Sequence, residues 1–185
     1  MSETEEPEVE YFEIERDLSN KRKWRLDTPK VEGNKETNVW AFSSGQRLKF
    51  ESPLVVPIEK TGEVVDVTFS HYFLTYIQPR VGAILEAFAG WDVQRIPARL
   101  ENGEIIEILN VLTVIDAFDR DRSEATYKGN NKPNMVIKLR IRSDKAEGHH
   151  LLRLKDWPGP LIISGLILEQ LRRIGSTGFI ATKVS

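Results

Sequence analysis

The chain contains no cysteine and only three histidines among its 185 residues. The absence of cysteine excludes disulfide bonds, thiol catalysis and cysteine-ligated zinc or iron–sulfur centres. No stretch approaches the roughly 18 consecutive apolar residues that a membrane-spanning helix needs. The N-terminal segment is acidic, whereas a secretory signal would be basic and then apolar. These absences favour a protein that acts in the cytoplasm and does not contact a membrane.

The few histidines and the glycine pattern give no sign of an enzyme. His71 stands alone, and the adjacent His149 and His150 would point to opposite faces of a strand, so they could not easily share a metal. The sequence also lacks a Gly-x-Ser-x-Gly nucleophile elbow and the glycine-rich loops that cradle nucleotide phosphates. The residues alone therefore show no catalytic constellation, and we expect neither a cofactor nor a bound metal.

What remains is an ordinary globular composition with an uneven distribution of charge. Apolar residues make up 40% of the chain, charged residues 29%, and the net charge is -2, which gives no overall attraction to nucleic acid. The first ten residues, MSETEEPEVE, carry five glutamates and no base. We predict an acidic disordered tail over residues 1–10 and a single domain over residues 11–185.

Period-two alternation predicts several strands in the first third of the chain. Tyr11–Glu15 is the first, and Lys21–Leu26 and Asn38–Phe42 are short candidates separated by a polar loop. Two prolines limit Leu48–Glu59 to an edge strand or two short strands, because each proline removes a ladder donor.

The dipeptide Asn102-Gly103 predicts a hairpin with a type I′ turn, in which both central residues have positive φ. The turn would pair Gln94–Leu100 antiparallel with Ile105–Ile115. The second strand is apolar on nearly both faces, so we expect it to be central and covered on both sides. Further strands are predicted within HHLLRLKDW and GFIATKV.

Two segments have the signals of helices. In QPRVGAILEAFAGW, Pro79 suits the first helical position, the apolar stripe is Val81, Ile84, Leu85 and Phe88, and Gly90 would supply a left-handed stop. In SGLILEQLRRIG, Ser164 can cap the N-terminus and Gly175 ends the helix. The predicted fold class is α+β, a strand-rich antiparallel sheet with two main helices packed against it.

The segment DAFDRDR, Asp116 to Arg122, follows the buried strand and alternates in charge. Asp116, Asp119 and Asp121 could in principle hold a cation, but the interleaved arginines compete as counter-ions and the spacing lacks the glycine and glutamate of a calcium loop. We favour a strand end with local ion pairs. If this segment has a function, we expect it to form the charged rim of a partner-binding surface. The predicted rim residues are Asp119, Arg120, Asp121 and Arg122.

A second charged patch is predicted in MVIKLRIR, with Lys138, Arg140 and Arg142 on one face and Ile137, Leu139 and Ile141 on the other. This row, which Arg153 and Lys155 could extend, could follow a phosphate backbone. Nucleic-acid binders, however, usually add stacking aromatics and a basic net charge. Trp157, in the turn KDWPGP, is the tryptophan most suited to anchor a partner.

Several of these motifs together resemble one known family. They are YFEIE, QPRVGAILE, VQRIPARLENGE, ILNVLTVIDAFDRDRS and the LRLKDW segment running into IIS and a helix that ends IGSTG. The pattern is similar to the type-eleven immunity proteins of bacterial polymorphic toxin systems, first catalogued as a myxobacterial domain. The similarity spans about Tyr11 to Phe179 and is densest from Gln78 onward.

The resemblance implies a cytoplasmic, non-enzymatic inhibitor that binds and neutralises one cognate toxin domain. Reversing the charge of Arg120 and Arg122 would then slow association and leave folding intact. Two alternatives from other classes stay open. One is a small-ligand or nucleic-acid binding module, which would show steep salt dependence if it bound nucleic acid. The other is a metal-dependent enzyme, in which Asp116, Asp119 or Asp121 would bind a divalent ion and added metal would raise the thermal stability.

Overall fold

A computed structural model describes residues 9–31 and 35–185 of the chain. Strands predominate in the described residues: the first α-helix begins at Pro79, and the two longest strands follow it. The strands are β1 Tyr11–Arg16, β2 Arg25–Leu26, β3 Lys30–Val31, β4 Lys35–Glu36, β5 Leu54–Val56, β6 Ile58–Lys60, β7 Val67–Phe69, β8 Thr75–Ile77, β9 Val93–Leu100, β10 Ile105–Val111, β11 Val114–Ile115, β12 Glu124–Tyr127, β13 Pro133–Lys138, β14 Leu151–Leu154, β15 Leu161–Ser164 and β16 Phe179–Lys183. The helices are α1 Pro79–Ala89, α2 Ser143–Ala146 and α3 Gly165–Arg173, with 3-10 turns at Val39–Ser43 and His71–Phe73.

Most of the strands form two sheets. The larger has seven strands in the order β4-β3-β5-β9-β10-β8-β7, and the smaller has five in the order β11-β14-β15-β1-β16. Two ribbons, β12-β13 and β2-β6, complete the strand pairs. The α+β class is confirmed, but the expectation of one antiparallel sheet is wrong, because β5–β9 and β11–β14 pair in parallel.

The parallel pair β11–β14 arises where the predicted strand Ile105–Ile115 breaks. After β10, the Leu112 N–H donates to the Asp92 carbonyl and the Thr113 carbonyl accepts from the Arg153 N–H. The chain thereby leaves the seven-stranded sheet and joins the five-stranded one. Residues 106–111 are buried, as an apolar pattern on both faces predicts.

The two long helices connect the sheets. α1 packs on β9 and β10, α3 packs on β1 and β15, and the two helices contact each other. One core cluster therefore contains residues from both sheets and both helices, including Ile14, Leu85, Leu109 and Leu171. α3 keeps its predicted ends, since the Ser164 hydroxyl accepts from the Ile167 N–H at 3.4 Å and Gly175 has a φ of +64°.

Three local predictions are wrong. Asn38–Phe42 overlaps a 3-10 turn rather than a strand, and Gly90 has a right-handed φ of -58° rather than a left-handed one. The Asn102–Gly103 turn is not type I′, because only Gly103 has positive φ, at +91°. The Gly103 N–H donates to the Leu100 carbonyl at 2.9 Å, so this is a three-residue loop that ends in a glycine bulge.

Other differences concern loops and one exposed face. The polar loop predicted between the two early strand candidates contains the short pair β3–β4. Ile137 is exposed and does not share a buried face with Leu139 and Ile141, because β13 belongs to a two-stranded ribbon with no sheet behind it at this point. Residues 1–8 of the predicted acidic tail lie outside the described residues.

The face of the five-stranded sheet that points away from α3, called here the outer face, is only partly covered. Over β14 and β15 it carries a core cluster that includes Phe118, Leu139, Ile141, Leu152 and Ile162. Over β1 and β16 the same face presents Glu13 and Thr182, which are paired across the two strands. A cleft opens at this uncovered part.

Candidate partner-binding cleft

The cleft has a volume of about 760 Å³ and lies between the β1–β16 part of the five-stranded sheet and the ribbon strand β13. The turn of residues 156–160, Phe69 at the end of β7 and Phe73 in the 3-10 turn that follows form its remaining sides. Its charged lining consists of Glu13, Glu15, Arg16, Lys128, Lys132, Lys138, Arg140 and Asp156, and its aromatic lining of Phe69, Phe73 and Trp157. Five bases and three acids give the lining a net charge of +2.

The sheet contributes two carboxylates to the cleft. Glu13 is half-buried on β1, and Glu15 lies two residues further along the same strand. Burial, together with the nearby charge of Glu15, raises the pKa of Glu13 to about 7. Neither carboxylate forms an ion pair with any described residue. Glu13 is therefore a partly desolvated acid whose charge the rest of the described chain does not compensate.

Most of the basic side chains around the cleft also lack a carboxylate partner among the described residues. Lys138 is the exception, because its ammonium group lies 3.5 Å from the Glu124 carboxylate. Arg140 donates to the Lys183 carbonyl at 3.2 Å, and Arg16 donates to the Phe69 carbonyl. Lys128 and Lys132 extend from the exposed loop between β12 and β13. These cations are available to a partner without the loss of an internal salt bridge.

A buried arginine holds two loops that border the cleft. Arg153 on β14 is 1% exposed, and its guanidinium donates to the carbonyls of Pro158 at 2.7 Å, Gly159 at 2.9 Å and Phe73 at 2.8 Å. No described carboxylate pairs with it, and burial lowers the pKa of Arg153 to about 10, so it stays protonated at neutral pH. A buried cation is costly unless hydrogen bonds compensate it, so this arginine fixes the two loops strongly.

The second of these loops is the hairpin between β7 and β8. Its tip is His71–Phe73, closed by the Ser70 N–H donating to the Leu74 carbonyl at 2.9 Å. Tyr72 and Phe73 both have left-handed backbones, with φ values of +57° and +63°. For residues other than glycine, asparagine and aspartate, this conformation costs about 1–2 kcal/mol each.

The side chains at this hairpin tip are aromatic and exposed. Tyr72 is 49% exposed and Phe73 is 45% exposed, and Tyr72 packs edge-on against the 58%-exposed Trp40 with ring centroids 5.3 Å apart. Phe73 also lines the cleft and lies against Gly159, where an added Cβ would come within 2.9 Å of its ring. We call Trp40, Tyr72 and Phe73 the aromatic tip.

The structure brings three of the predicted partner-binding residues together at the cleft: Lys138, Arg140 and Trp157. Trp157 is half-buried and packs against the core cluster that covers β14 and β15. Arg120 does not line the cleft, but it contacts Asp156, which does. Its guanidinium donates to the Asp156 carboxylate at 2.8 Å and to the Asn131 carbonyl at 2.7 Å. It also stacks over the ring of Tyr127, 5.5 Å from its centroid.

The other predicted residues do not line the cleft. The Asp119 carboxylate accepts from the N–H groups of Asp121 at 3.2 Å and Arg122 at 3.0 Å, which shapes the turn after β11. Asp121 and Arg122 are exposed, and Arg142 is exposed with one donor 3.2 Å from the Asp116 carbonyl. The charged segment Asp116–Arg122 is thus a turn stabilised by its own hydrogen bonds, as the strand-end interpretation predicts.

Over residues 9–31 and 35–185, no group of three acidic, histidine or cysteine side chains converges as metal ligands would. Asp116, Asp119 and Asp121 therefore do not meet around a common point. Among the same residues, no helix is long and apolar enough to cross a membrane.

Sequence reasoning missed Glu13, Tyr72 and Phe73, and it gave Arg153 a different role. Glu13 appeared as an ordinary polar position of an alternating strand, and Arg153 as a base that could extend the row of Lys138, Arg140 and Arg142. Tyr72 and Phe73 carry one usable signal, because the tip of a short hairpin normally holds glycine or asparagine and here holds two aromatics. The close approach of the loops to Arg153 depends on tertiary packing.

The model of a family described as the Immunity protein family (Imm11) matches residues 11–185, which is nearly the whole chain. No curated protein sequence matches the chain.

Proposed function

This chain belongs to the Imm11 immunity protein family, and we propose that it binds one cognate bacterial toxin domain and neutralises it without catalysing a reaction. The observation that carries this proposal is the family match over residues 11–185, which is nearly the whole chain. A toxin that is active inside its producer must be blocked there, so we propose that the protein works in the cytoplasm.

The proposed contact surface is the cleft and its charged surroundings. Lys138, Arg140 and Trp157 border it, and the remaining predicted residues would form an outer rim in which Asp119 and Arg120 are partly buried and Asp121, Arg122 and Arg142 are exposed. The four cleft bases other than Lys138 have no carboxylate partner among the described residues, and such cations favour fast association with a partner of opposite charge. Aromatic groups next to them supply the apolar centre that a stable interface needs.

Neutralisation would follow from occupancy alone. An inhibitor that covers a toxin's active site or substrate-docking surface needs a long-lived complex, and long residence comes mainly from slow dissociation. A pre-formed cleft favours a stable complex, because its backbone loses little conformational freedom when the partner binds. The internal hydrogen bonds of Arg153 and Asp119 keep the loops around the surface fixed before binding.

One observation favours the alternative of a small-ligand module. The cleft volume of about 760 Å³ lies within the range of small-molecule sites. Three carboxylates nevertheless share the lining with the bases, which suits a protein surface with charges of both signs better than a simple phosphate or nucleic acid.

The test is calorimetry with the purified toxin domain encoded beside the gene of this chain, followed by an assay of toxin activity. We expect a one-to-one complex that abolishes the activity. Lys138→Glu should slow association at low salt, whereas the control Arg172→Glu, an exposed base on α3 at the opposite face of the sheet, should not.

Two results would contradict the proposal. One is the absence of binding between the folded protein and the toxin domain. The other is salt-sensitive binding to oligonucleotides together with no effect on the toxin, which would support the alternative module.

A further inference from the structure

The aromatic tip has a backbone that a stable hairpin would not be expected to have. The antiparallel register of β7 and β8 leaves a three-residue loop at His71–Phe73. The second and third loop residues are left-handed, a conformation that asparagine and glycine adopt readily. The chain has tyrosine and phenylalanine there instead. Backbone outliers of this kind concentrate at functional sites. The tyrosine and the phenylalanine are therefore better explained by a role of their side chains than by the conformation that the turn requires.

Other contacts hold this unfavourable backbone in place. The Phe73 carbonyl accepts a hydrogen bond from the buried Arg153 at 2.8 Å, and the same guanidinium holds the loop at Pro158 and Gly159. The Phe73 ring lies against Gly159, and the Tyr72 ring lies edge-on to Trp40. The fold thus places a buried cation without a carboxylate partner where it fixes an exposed aromatic pair.

The aromatic tip is continuous with the cleft, because Phe73 belongs to both. Bases without a described carboxylate partner, Arg16, Lys128 and Lys132, line the cleft beyond it. The combined surface places exposed aromatic side chains beside a lining of mixed charge in which bases outnumber acids by five to three. Its complement is a protein surface with an apolar recess next to carboxylates.

We propose that the aromatic tip inserts into an apolar recess of the cognate toxin, flanked on the toxin by carboxylates that meet the bases of the cleft. This inference rests on the proposed function and names where the binding energy is concentrated. Tryptophan and tyrosine are the residues most often found to dominate an interface. A tip fixed by Arg153 would lose little conformational freedom on binding. Arg153 acts only through the loops that it holds and is therefore a positioning residue.

The experiment measures the affinity of three variants for the purified toxin domain encoded by the neighbouring gene. Trp40→Ala and Tyr72→Asn should each weaken binding by about tenfold or more. The matched control is Trp91→Ala, because Trp91 is 94% exposed and lies at the end of α1, outside the lining of the cleft. Its affinity should stay within about twofold of the wild type.

A second readout separates loss of contact from loss of structure. Asparagine tolerates the left-handed conformation, so Tyr72→Asn should leave the urea midpoint of unfolding unchanged or raise it while it weakens binding. Opposite effects on stability and affinity would identify a residue kept for binding. Weaker binding in parallel with a lower midpoint would overturn the inference.

The remaining outcomes also decide the question. If the wild-type protein inhibits the toxin and both aromatic variants bind as tightly as Trp91→Ala, the aromatic tip is not the contact and the proposed function stands. If the aromatic variants instead abolish a self-association of the free protein seen by sedimentation, the tip contacts a second copy and the inference is wrong. If the wild type does not bind the toxin, both proposals are wrong.

Discussion

The carboxylates at the junction of the two sheets and the carboxylate of Glu13 in the cleft have opposite surroundings. Asp92, after α1, accepts hydrogen bonds from the Thr113 hydroxyl at 2.6 Å and the His150 N–H at 2.8 Å, and it lies 2.6 Å from Nδ1 of His149. Asp66 is held similarly, with both oxygens on the Arg80 guanidinium at 2.6 and 2.7 Å and a further bond from the Thr177 N–H. Glu13, in the cleft, has no such partner among the described residues.

The difference separates groups that hold the fold together from groups available to a partner. Asp92 joins the end of α1 to β14, and Asp66 joins α1 to the segment before β16, so each fastens one sheet to the other. Burial acts to raise the pKa of both carboxyls, but the hydrogen bonds that each accepts outweigh it, and the pKa of both is lowered. The pKa of Glu13 is raised instead, because its charged form is desolvated and lies near a second carboxylate. Three predictions follow the same contrast, from the largest expected effect to the smallest.

Replacing Asp92 with alanine should remove about 3–5 kcal/mol from the free energy of unfolding, because it leaves several buried donors without an acceptor. Urea unfolding at pH 7 measures this change. The depressed pKa of Asp92 means that its contribution is present above the unfolded value of 3.8 and is lost as the pH falls below it. The wild-type protein should therefore lose stability in acid more steeply than the variant. A loss of less than about 1 kcal/mol would show that Asp92 does not link the sheets.

Arg120 and Arg122 should differ although they are two residues apart. Arg120→Ala removes bonds to Asp156 and the Asn131 carbonyl, and should cost about 1–2 kcal/mol of stability. Arg122→Ala removes one exposed pair with Asp119 at 3.9 Å and should change stability by less than about 0.5 kcal/mol. Reversing both charges would thus mix a folding effect with a binding effect. Equal effects of the two alanine variants on the urea midpoint would refute this division.

Glu13→Gln should stabilise the protein, but only at higher pH. Because the pKa of Glu13 rises from 4.5 to about 7 on folding, its contribution becomes unfavourable as the pH rises from 4.5 to 7. Because Glu13 is partly exposed, we expect the free energy of unfolding of the variant to exceed that of the wild type by only about 1 kcal/mol at pH 8 and to equal it at pH 4. Thermal or urea unfolding at the two pH values measures the gain. The exposed Glu104→Gln, in the β9–β10 loop, is the matched control and should show no pH-dependent gain.

The sequence allowed prediction of those parts of the fold that depend on local pattern. The first strand, both long helices with Pro79 and Ser164 at their starts, and the buried β10 follow from periodicity and capping. The switch of β11 into the second sheet could not be predicted, because it depends on the Asp92 carbonyl and on Arg153, both remote from the break. The backbone of Gly90 could not be predicted either, since a glycine after a helix permits the left-handed conformation without requiring it.

The candidate site could be predicted only in part, for a related reason. Lys138, Arg140 and Trp157 stood out as basic or aromatic residues in exposed segments, and they meet at the cleft. Glu13 could not be distinguished from Glu15 by sequence, since both are polar positions of one strand and only the fold decides which is half-buried. The role of Arg153 depends on loops that are far from each other in the chain.

Hydrogen–deuterium exchange on the complex with the toxin domain encoded by the neighbouring gene tests the central claim most directly. The account predicts slower amide exchange on binding in residues 71–74, 128–138 and 156–160, with the exposed faces of α1 and α3 unchanged. Protection confined to α1 and α3, with the cleft and the aromatic tip exchanging as in the free protein, would contradict it.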